Sequence, residues 1–184
     1  IYTDGSHYES CHDRDRWAAV VVEQAVDIFS AKGYQAGITR EASRWTQHGK
    51  LDSTASELVA IAWALAYILL HGCGTDATHT ITCDSKHAIA AANRETMYKP
   101  FEELARFVAL LAHEVRSKHG LVIRHTKSHD FDPWNQLVDA VAKDIHTMPN
   151  SATELNGLLQ YDKGLEWAFL LYSTEAKPQY PPLS

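Results

Sequence analysis

An uninterrupted apolar run, residues 58–70, restricts the fold more than any other feature of this sequence. A helix that spans a bilayer needs about 20 apolar residues, so this run is too short for that purpose. It predicts instead a helix buried on all sides, over roughly residues 54–71, with Gly72 and Gly74 ending it. A chain of 184 residues, of which 45% are hydrophobic, can bury such a helix inside one folded domain.

Segments rich in β-branched and aromatic residues precede and follow this helix. They predict strands at residues 1–3, 17–23, 25–30 with 34–39, 79–83 and 121–126. The third segment is either one strand or a pair joined near Lys32-Gly33. Helical spacing of apolar residues predicts further helices at 86–93, 100–119 and around Asp139, with Asp132-Pro133 as cap and first turn of the last one. Three extended segments followed by alternating helix and strand predict an α/β fold, a mixed sheet with helices on its faces.

Four carboxylates occur at the edges of different predicted elements, in the order strand, helix, strand, helix. They are Asp4, Glu57, Asp84 and Asp139. Asp4 and Asp84 each end a strand, Glu57 opens the buried helix, and Asp139 lies on a helix suited to packing against the sheet. Together they predict a divalent-metal site. The alternative is that the aspartates cap turns or face solvent.

Charge and cysteine content narrow the classes of function. The net charge of −6 argues against a generally basic nucleic-acid binder, although a local basic surface is compatible with it. Three cysteines, Cys11, Cys73 and Cys83, are odd in number and widely spaced, which favours a reducing compartment, cytoplasmic or nuclear. The chain opens directly on a strand without a visible signal peptide, which suggests a piece of a longer polypeptide.

Several motifs, in this order, resemble the ribonuclease H family. They are Tyr2-Thr3-Asp4-Gly5-Ser6, Ala55-Ser56-Glu57-Leu58, Cys83-Asp84-Ser85 and Lys127-Ser128-His129 followed by Asn135 and Asp139. The resemblance implies a ribonuclease H-like fold, with a five-stranded mixed sheet of three antiparallel and then parallel strands and helices on both faces. It covers about residues 1–147 and divides the chain into a catalytic domain, 1–149, and a C-terminal extension, 150–184.

The resemblance also implies an activity: Mg²⁺-dependent cleavage of the RNA strand of an RNA/DNA hybrid. Asp4, Glu57, Asp84 and Asp139 would bind two Mg²⁺ ions, which Mn²⁺ could replace, and His129 would transfer a proton or assist product release. Substrate contacts fall to Gly5, Ser6, Ser53, Thr54, Ser85, Lys127 and Asn135. Ser53 and Thr54 stand where the family often carries asparagines that contact the RNA 2′-hydroxyl, and their own hydroxyls can hydrogen-bond a sugar.

The stretch from Ser128 to Asn135 is similar to ribonuclease H domains carried beside a reverse transcriptase in retroelement polyproteins, which implies such a domain as a partner. Two alternatives stay open: a hybrid-binding domain with weak or no catalysis, and a transposase- or integrase-like nuclease core. Asp4-Gly5-Ser6 lacks the Asp-x-Glu of a proofreading exonuclease. His7, Cys11, His12 and Asp13 have ligand chemistry, but their spacing matches no common zinc pattern.

Overall fold

The computed structural model of the protein describes residues 1–8, 15–25, 28–42, 45–46, 50–72, 77–127 and 132–143. The strands in these residues are β1 Tyr2–Ser6, β2 Arg16–Ala25, β3 Ile28–Ile38, β4 Thr78–Cys83 and β5 Gly120–His125. The α-helices are α1 Thr39–Ala42, α2 Ser53–His71, α3 Lys86–Ala92, α4 Glu102–Lys118 and α5 Pro133–Lys143, with a 3-10 turn at Lys99–Phe101.

The five strands form one sheet in the order β3-β2-β1-β4-β5, so the first strand of the chain is the central one. The β1–β2 and β2–β3 pairs are antiparallel, whereas β1–β4 and β4–β5 are parallel. Parallel neighbours need long crossover connections, and the helices α2, α3 and α4 lie in them. This arrangement confirms the predicted mixed sheet of three antiparallel strands followed by parallel strands.

Helices cover both faces of the sheet, as predicted. On one face, α2, α3 and α4 form the larger core with sheet residues such as Trp17 and Ile81. On the other face, α5 packs Val138 and Ala142 against Tyr2 and neighbouring residues of β2. Side chains alternate along a strand, so successive residues of β1 face the two cores in turn.

Helix α2 is buried on every side, because thirteen of its nineteen residues, from Ala55 to Ile68, are buried. Of the helices in the described residues, α2 alone is long and apolar enough to cross a membrane, and 72% of its apolar stretch is buried in the fold. Such burial is typical of a core helix and confirms the interpretation of the apolar run.

Three local features differ from the predicted pattern. Asp4 lies inside β1 and does not end it, because the strand pairing with β2 continues through Gly5 and Ser6. β3 is one continuous strand, and its register with β2 shifts between Val21 and Val22, which pair with Gly33 and Ala31. Lys32 is therefore the extra residue of a β-bulge rather than part of a turn. The short helix α1 was not predicted, since its four residues are too few to show helical periodicity.

Candidate metal centre

Asp4 and Asp84 lie at the same end of the sheet because β1 and β4 are parallel neighbours. The register pairs Tyr2 with Thr82 and Thr3 with Cys83. Each residue of the second pair is followed directly by an aspartate. Asp4 is only 7% exposed, and Asp84 is half-buried. Ligands of α/β proteins bind at this carboxyl end of parallel strands.

Glu57 reaches this end of the sheet from α2, and Gly5 determines how closely that helix approaches β1. A Cβ atom on Gly5 would stand 2.6 Å from the backbone nitrogen of Glu57 and 2.8 Å from the Cβ of Ser56. Any side chain at position 5 would therefore displace the first turn of α2. Glu57 is 3% exposed, so its carboxyl group is almost completely removed from solvent.

Asp52 and Tyr98 fix the start of the helix that carries Glu57. Asp52 caps α2, and its Oδ1 accepts a hydrogen bond from the Ala55 backbone nitrogen at 2.9 Å. Its Oδ2 accepts a hydrogen bond from the Tyr98 hydroxyl, which also contacts the side chain of Thr54. Burial, and then the bond to Asp52, raise the pKa of Tyr98. The segment between α3 and α4 is thus tied to the first turn of α2.

Asp139 approaches from α5, on the opposite face of the sheet from α2. The Lys143 Nζ atom lies 2.6 Å from its Oδ1 and 2.8 Å from its Oδ2. The hydrogen bond to Asp139 raises the pKa of Lys143, and the negative charge of Asp4 adds to that effect. Lys143 was not predicted from the sequence, although its spacing four residues after Asp139 is that of a helical ion pair.

Burial and neighbouring negative charges raise the pKa of two carboxyl groups of this cluster, Asp4 and Glu57. Burial, followed by the charges of Asp84 and Asp139, raises the pKa of Asp4 to about 7. Burial, followed by the charges of Asp4 and Asp84, raises the pKa of Glu57 well above its ordinary value. A backbone hydrogen bond from Gly5 favours the charged form of both groups without offsetting the burial. The fold therefore brings together the four carboxylates that the sequence singled out.

This donor set fits a hard divalent cation. The ligands preferred by Mg²⁺ and Mn²⁺ are carboxylate oxygens, and a doubly charged ion would offset the repulsion and burial that raise these pKa values. Asp4, Glu57, Asp84 and Asp139 would hold such ions.

Cys83 belongs to the same cluster, although its side chain was not predicted to be part of the site. Its Sγ atom donates to Glu57 Oε2 at 3.4 Å and accepts a hydrogen bond from the Ser85 backbone nitrogen at 3.3 Å. Burial, and then the charge of Glu57, raise the pKa of the thiol well above its ordinary value. Strand alternation could have placed Cys83 beside the helix that carries Glu57, because Ile81 and Cys83 both face α2.

The predicted substrate-binding residues on β1, on α2 and after β4 lie at the ends of elements that carry the acids. Ser6 ends β1 and is 8% exposed. Ser53 and Thr54 form the first turn of α2, where Ser53 is exposed and Thr54 half-buried. The Ser85 hydroxyl caps α3 by accepting a hydrogen bond from the Ala88 backbone nitrogen at 3.3 Å.

Two further substrate-binding predictions fall near the fifth strand and fifth helix. Asn135, in the first turn of α5, is 5% exposed, and Lys127 is exposed beyond β5. Between them in the chain, the predicted catalytic residue His129 lies outside the described residues. His125, the last residue of β5, places Nε2 3.1 Å from the backbone oxygen of Asp84.

The histidine-rich loop after β1 is only partly described. His7 places Nδ1 3.1 Å from Oδ1 of the buried Asp15, which connects the start of the loop to the residue just before β2. Cys11, His12 and Asp13 lie outside the described residues, as does the extension 150–184.

The sheet order and the helices on both faces define a ribonuclease H-like fold. The sequence matches the family model for RNase H over residues 1–146, which is most of the chain. The protein therefore belongs to the RNase H family and is a ribonuclease H, a nuclease of the hydrolase class.

Solved structures show the same fold at low sequence identity. RNase H1 from the halophilic archaeon Halobacterium salinarum NRC-1 is 16% identical with a TM-score of 0.50, covering 76% of this chain and 89% of that one. LC9-RNase H1, described as a type 1 RNase H with the type 2 active-site motif, is 13% identical with a TM-score of 0.52. The match covers 76% of this chain and 67% of that one. The Prototype Foamy Virus protease-reverse transcriptase is 16% identical with a TM-score of 0.51, covering 77% of this chain and 20% of that one. Comparison with curated protein sequences gives no match.

Proposed function

We propose that this ribonuclease H hydrolyses the RNA strand of RNA/DNA hybrids as an endonuclease, with two Mg²⁺ ions as cofactors and Mn²⁺ as a substitute. The observation that carries the proposal is the convergence of the buried carboxyl groups of Asp4 and Glu57 with Asp84 and Asp139, whose charges act on the pKa of Asp4. Asp4 would bridge the two ions, Glu57 and Asp84 would complete the first site, and Asp139 would complete the second.

Bound ions supply an activated water and stabilise charge on the attacking and leaving oxygens. The chain positions the substrate around them. The hydroxyls of Ser53 and Thr54, on the first turn of α2, would face a ribose, because a 2′-hydroxyl is what distinguishes RNA from DNA. Asn135 would orient the site from α5, and His129 would transfer a proton, since its ordinary pKa lies near 6.5.

The remaining contacts would go to the phosphate backbone. Backbone and hydroxyl groups of Gly5, Ser6 and Ser85, and the ammonium group of Lys127, are suitable donors to phosphate oxygens. Phosphate contacts of this kind fix the position of a duplex without reading its sequence. We therefore expect cleavage with little sequence preference.

The larger context is also a proposal. Residues 1–149 would be the catalytic domain, supported by a family match that ends at residue 146, and 150–184 would be an extension. The fold likeness to a viral reverse transcriptase polyprotein supports a reverse-transcribing element as the source, with a reverse transcriptase domain as partner. A reducing compartment, the cytoplasm or the nucleus, would suit the buried free thiol of Cys83.

The test is incubation of the full chain with a labelled RNA/DNA hybrid in Mg²⁺, beside duplex DNA and double-stranded RNA. We expect cleavage of the hybrid alone. Asp84→Asn should lower the rate more than about 100-fold, since even outer-shell partners of a metal contribute 10–100-fold. Glu103→Gln, an exposed acid on α4, is the matched control and should retain full activity.

Three results would overturn the proposal. One is hybrid binding without cleavage, which would favour the non-catalytic alternative. A second is equal cleavage by the parent and Asp84→Asn. Cleavage of duplex DNA in preference to the hybrid would favour the integrase-like alternative.

A further inference from the structure

Cys83 makes one corner of this acidic cluster chemically different from a set of oxygen donors. Ligand atoms of Glu57, Cys83 and Asp84 all lie within 4.8 Å of one another. The sulfur is fully buried, so it faces these carboxylates rather than bulk solvent. A thiol among carboxylates adds a soft donor, and soft donors favour thiophilic cations such as Zn²⁺ or Cd²⁺ over Mg²⁺.

The spacing of these donors suits one tetrahedral cation. With a Zn–S distance of about 2.3 Å and a Zn–O distance of about 2.1 Å, two ligand atoms on one zinc ion lie about 3.6 Å apart. Cys83 Sγ and Glu57 Oε2 are 3.4 Å apart. A cation between them needs little movement of either side chain, and Asp84 supplies a third donor from the end of the same strand.

The backbone around the sulfur also suits a metal thiolate. The Ser85 backbone nitrogen donates to Cys83 Sγ at 3.3 Å. A hydrogen bond of this kind survives when the sulfur loses its proton, and outer-shell partners of this type orient a ligand and strengthen binding. By contrast, the thiol hydrogen bond from Cys83 to Glu57 is lost on binding, because the cation takes the place of that proton.

We propose that Glu57, Cys83 and Asp84 form a binding site for one thiophilic divalent cation, which excludes Mg²⁺ from the two shared carboxylates. Binding forms a metal–sulfur bond and releases the thiol proton to solvent. Inhibition of hybrid cleavage by Zn²⁺ or Cd²⁺ follows only if the function proposed above holds. The binding itself does not depend on it.

The test uses Cd²⁺ and the full chain without nucleic acid, and records the ultraviolet charge-transfer band of a cadmium–thiolate bond. We expect one equivalent of Cd²⁺ to produce the band in the parent. The Cys11→Ser/Cys73→Ser double variant should keep it, and Cys83→Ser should lose it. Excess Mg²⁺ should raise the Cd²⁺ concentration for half-saturation, because Glu57 and Asp84 are shared. Glu57→Gln should raise that concentration more than about tenfold.

A second measurement needs no substitution at position 83. In mild urea, where transient opening exposes the buried thiol, Cd²⁺ should slow alkylation of Cys83 in the parent, as located by peptide mapping, and should slow it less in Glu57→Gln. The inference is overturned if the band survives in Cys83→Ser, if it disappears in the double variant, or if Cd²⁺ leaves the alkylation of Cys83 unchanged. Absent hybrid cleavage with an intact cadmium band would instead count against the proposed function alone.

Discussion

The backbone nitrogen of Glu57 lies 2.6 Å from the position that a Cβ atom on Gly5 would occupy. Glu57 can therefore meet Asp4 only because the residue between them in space has no side chain. The atoms in the way belong largely to the backbone of α2, so they cannot rotate aside as a flexible side chain would.

Gly5→Ala should therefore destabilise the protein by about 1–3 kcal/mol, the usual effect of overpacking. It should also weaken metal binding, since α2 must move away from β1. Denaturant unfolding and a Mg²⁺ titration of the melting temperature measure the two effects. Gly120→Ala is the matched control: its nearest neighbour is the Thr78 hydroxyl at 2.8 Å, which can rotate, so metal binding should be unchanged. A parent-like metal response of Gly5→Ala would contradict the packing argument.

Without metal, the stability of the protein should fall as the pH rises from about 4 to about 7. The pKa of Asp4 is about 7 in the fold against an ordinary value of 3.8, so the folded state holds a proton that the unfolded state has lost in this range. The stabilisation is complete below the lower value and is lost as the pH passes the upper one. The whole difference corresponds to on the order of 4 kcal/mol.

Urea unfolding in the presence of a chelator at pH 5 and pH 8 measures this dependence. Asp4→Asn should weaken it, because the amide does not titrate while Glu57, whose pKa is also raised, keeps its own contribution. Mg²⁺ should restore stability at pH 8 in the parent. The same pH dependence in the parent and in Asp4→Asn would show that another group is responsible.

The Tyr98 hydroxyl and the Asp52 carboxylate should stabilise the protein as a coupled pair. Tyr98→Phe should cost about 1.5–3 kcal/mol, the range for a hydrogen bond to a charged group. Asp52→Ala should cost about 1 kcal/mol or more, because α2 also loses its cap. The double variant should be less destabilised than the sum of the two, since each single change already removes the shared bond.

Denaturant unfolding of all four proteins completes this cycle. Tyr34→Phe, a half-buried tyrosine on the α5 side of the sheet, is a suitable control and should change stability by less than about 0.5 kcal/mol. Strict additivity of the Tyr98 and Asp52 variants would mean that their hydrogen bond contributes nothing.

Lys143 should compete with metal for Asp139. Its ammonium group contacts both carboxylate oxygens, yet the pair is 60% and 43% exposed and is therefore weak. We expect Mg²⁺ to raise the melting temperature, and Lys143→Gln should lower the Mg²⁺ concentration needed for this effect by about two- to fivefold. That factor corresponds to the free energy of an exposed ion pair.

The matched control for this prediction is Lys118→Gln. It removes an ion pair of the same spacing, with Nζ 2.9 Å from Glu114 Oε1, on a helix away from the acids. Lys118→Gln should leave the metal response unchanged. A weaker metal response in Lys143→Gln would show that the ammonium group supports the site instead of competing for it.

Apolar periodicity and strand propensity predicted the elements and a mixed sheet, and the order of the four acids predicted a metal site. The five strands and their antiparallel and parallel arrangement were implied by the resemblance to the ribonuclease H family. The pairing of β1 with β4, which brings Asp4 and Asp84 to one end of the sheet, is seen only in the structure. The buried helix was equally clear, because its apolar run permits no solvent-facing side.

What the sequence could not predict depends on contacts between distant segments. The Asp52–Tyr98 bond joins residues on different elements, and neither residue type indicates the other. The thiol of Cys83 becomes part of the site only through the position of α2, which in turn depends on Gly5. The bulge at Lys32 reflects the packing of β2 against β3, and local propensity says nothing about it.

The central place of β1 in the sheet has a consequence for biosynthesis. One partner, β2, follows within a few residues, whereas the other, β4, is translated only after the whole of α2. A nascent chain therefore exposes one edge of its first strand for much of translation, and unpaired edges of this kind favour pairing with other chains. Pairing across such a long separation is also slow. Premature termination before Thr78 would leave this edge permanently open, so truncated products should aggregate rather than accumulate as soluble fragments.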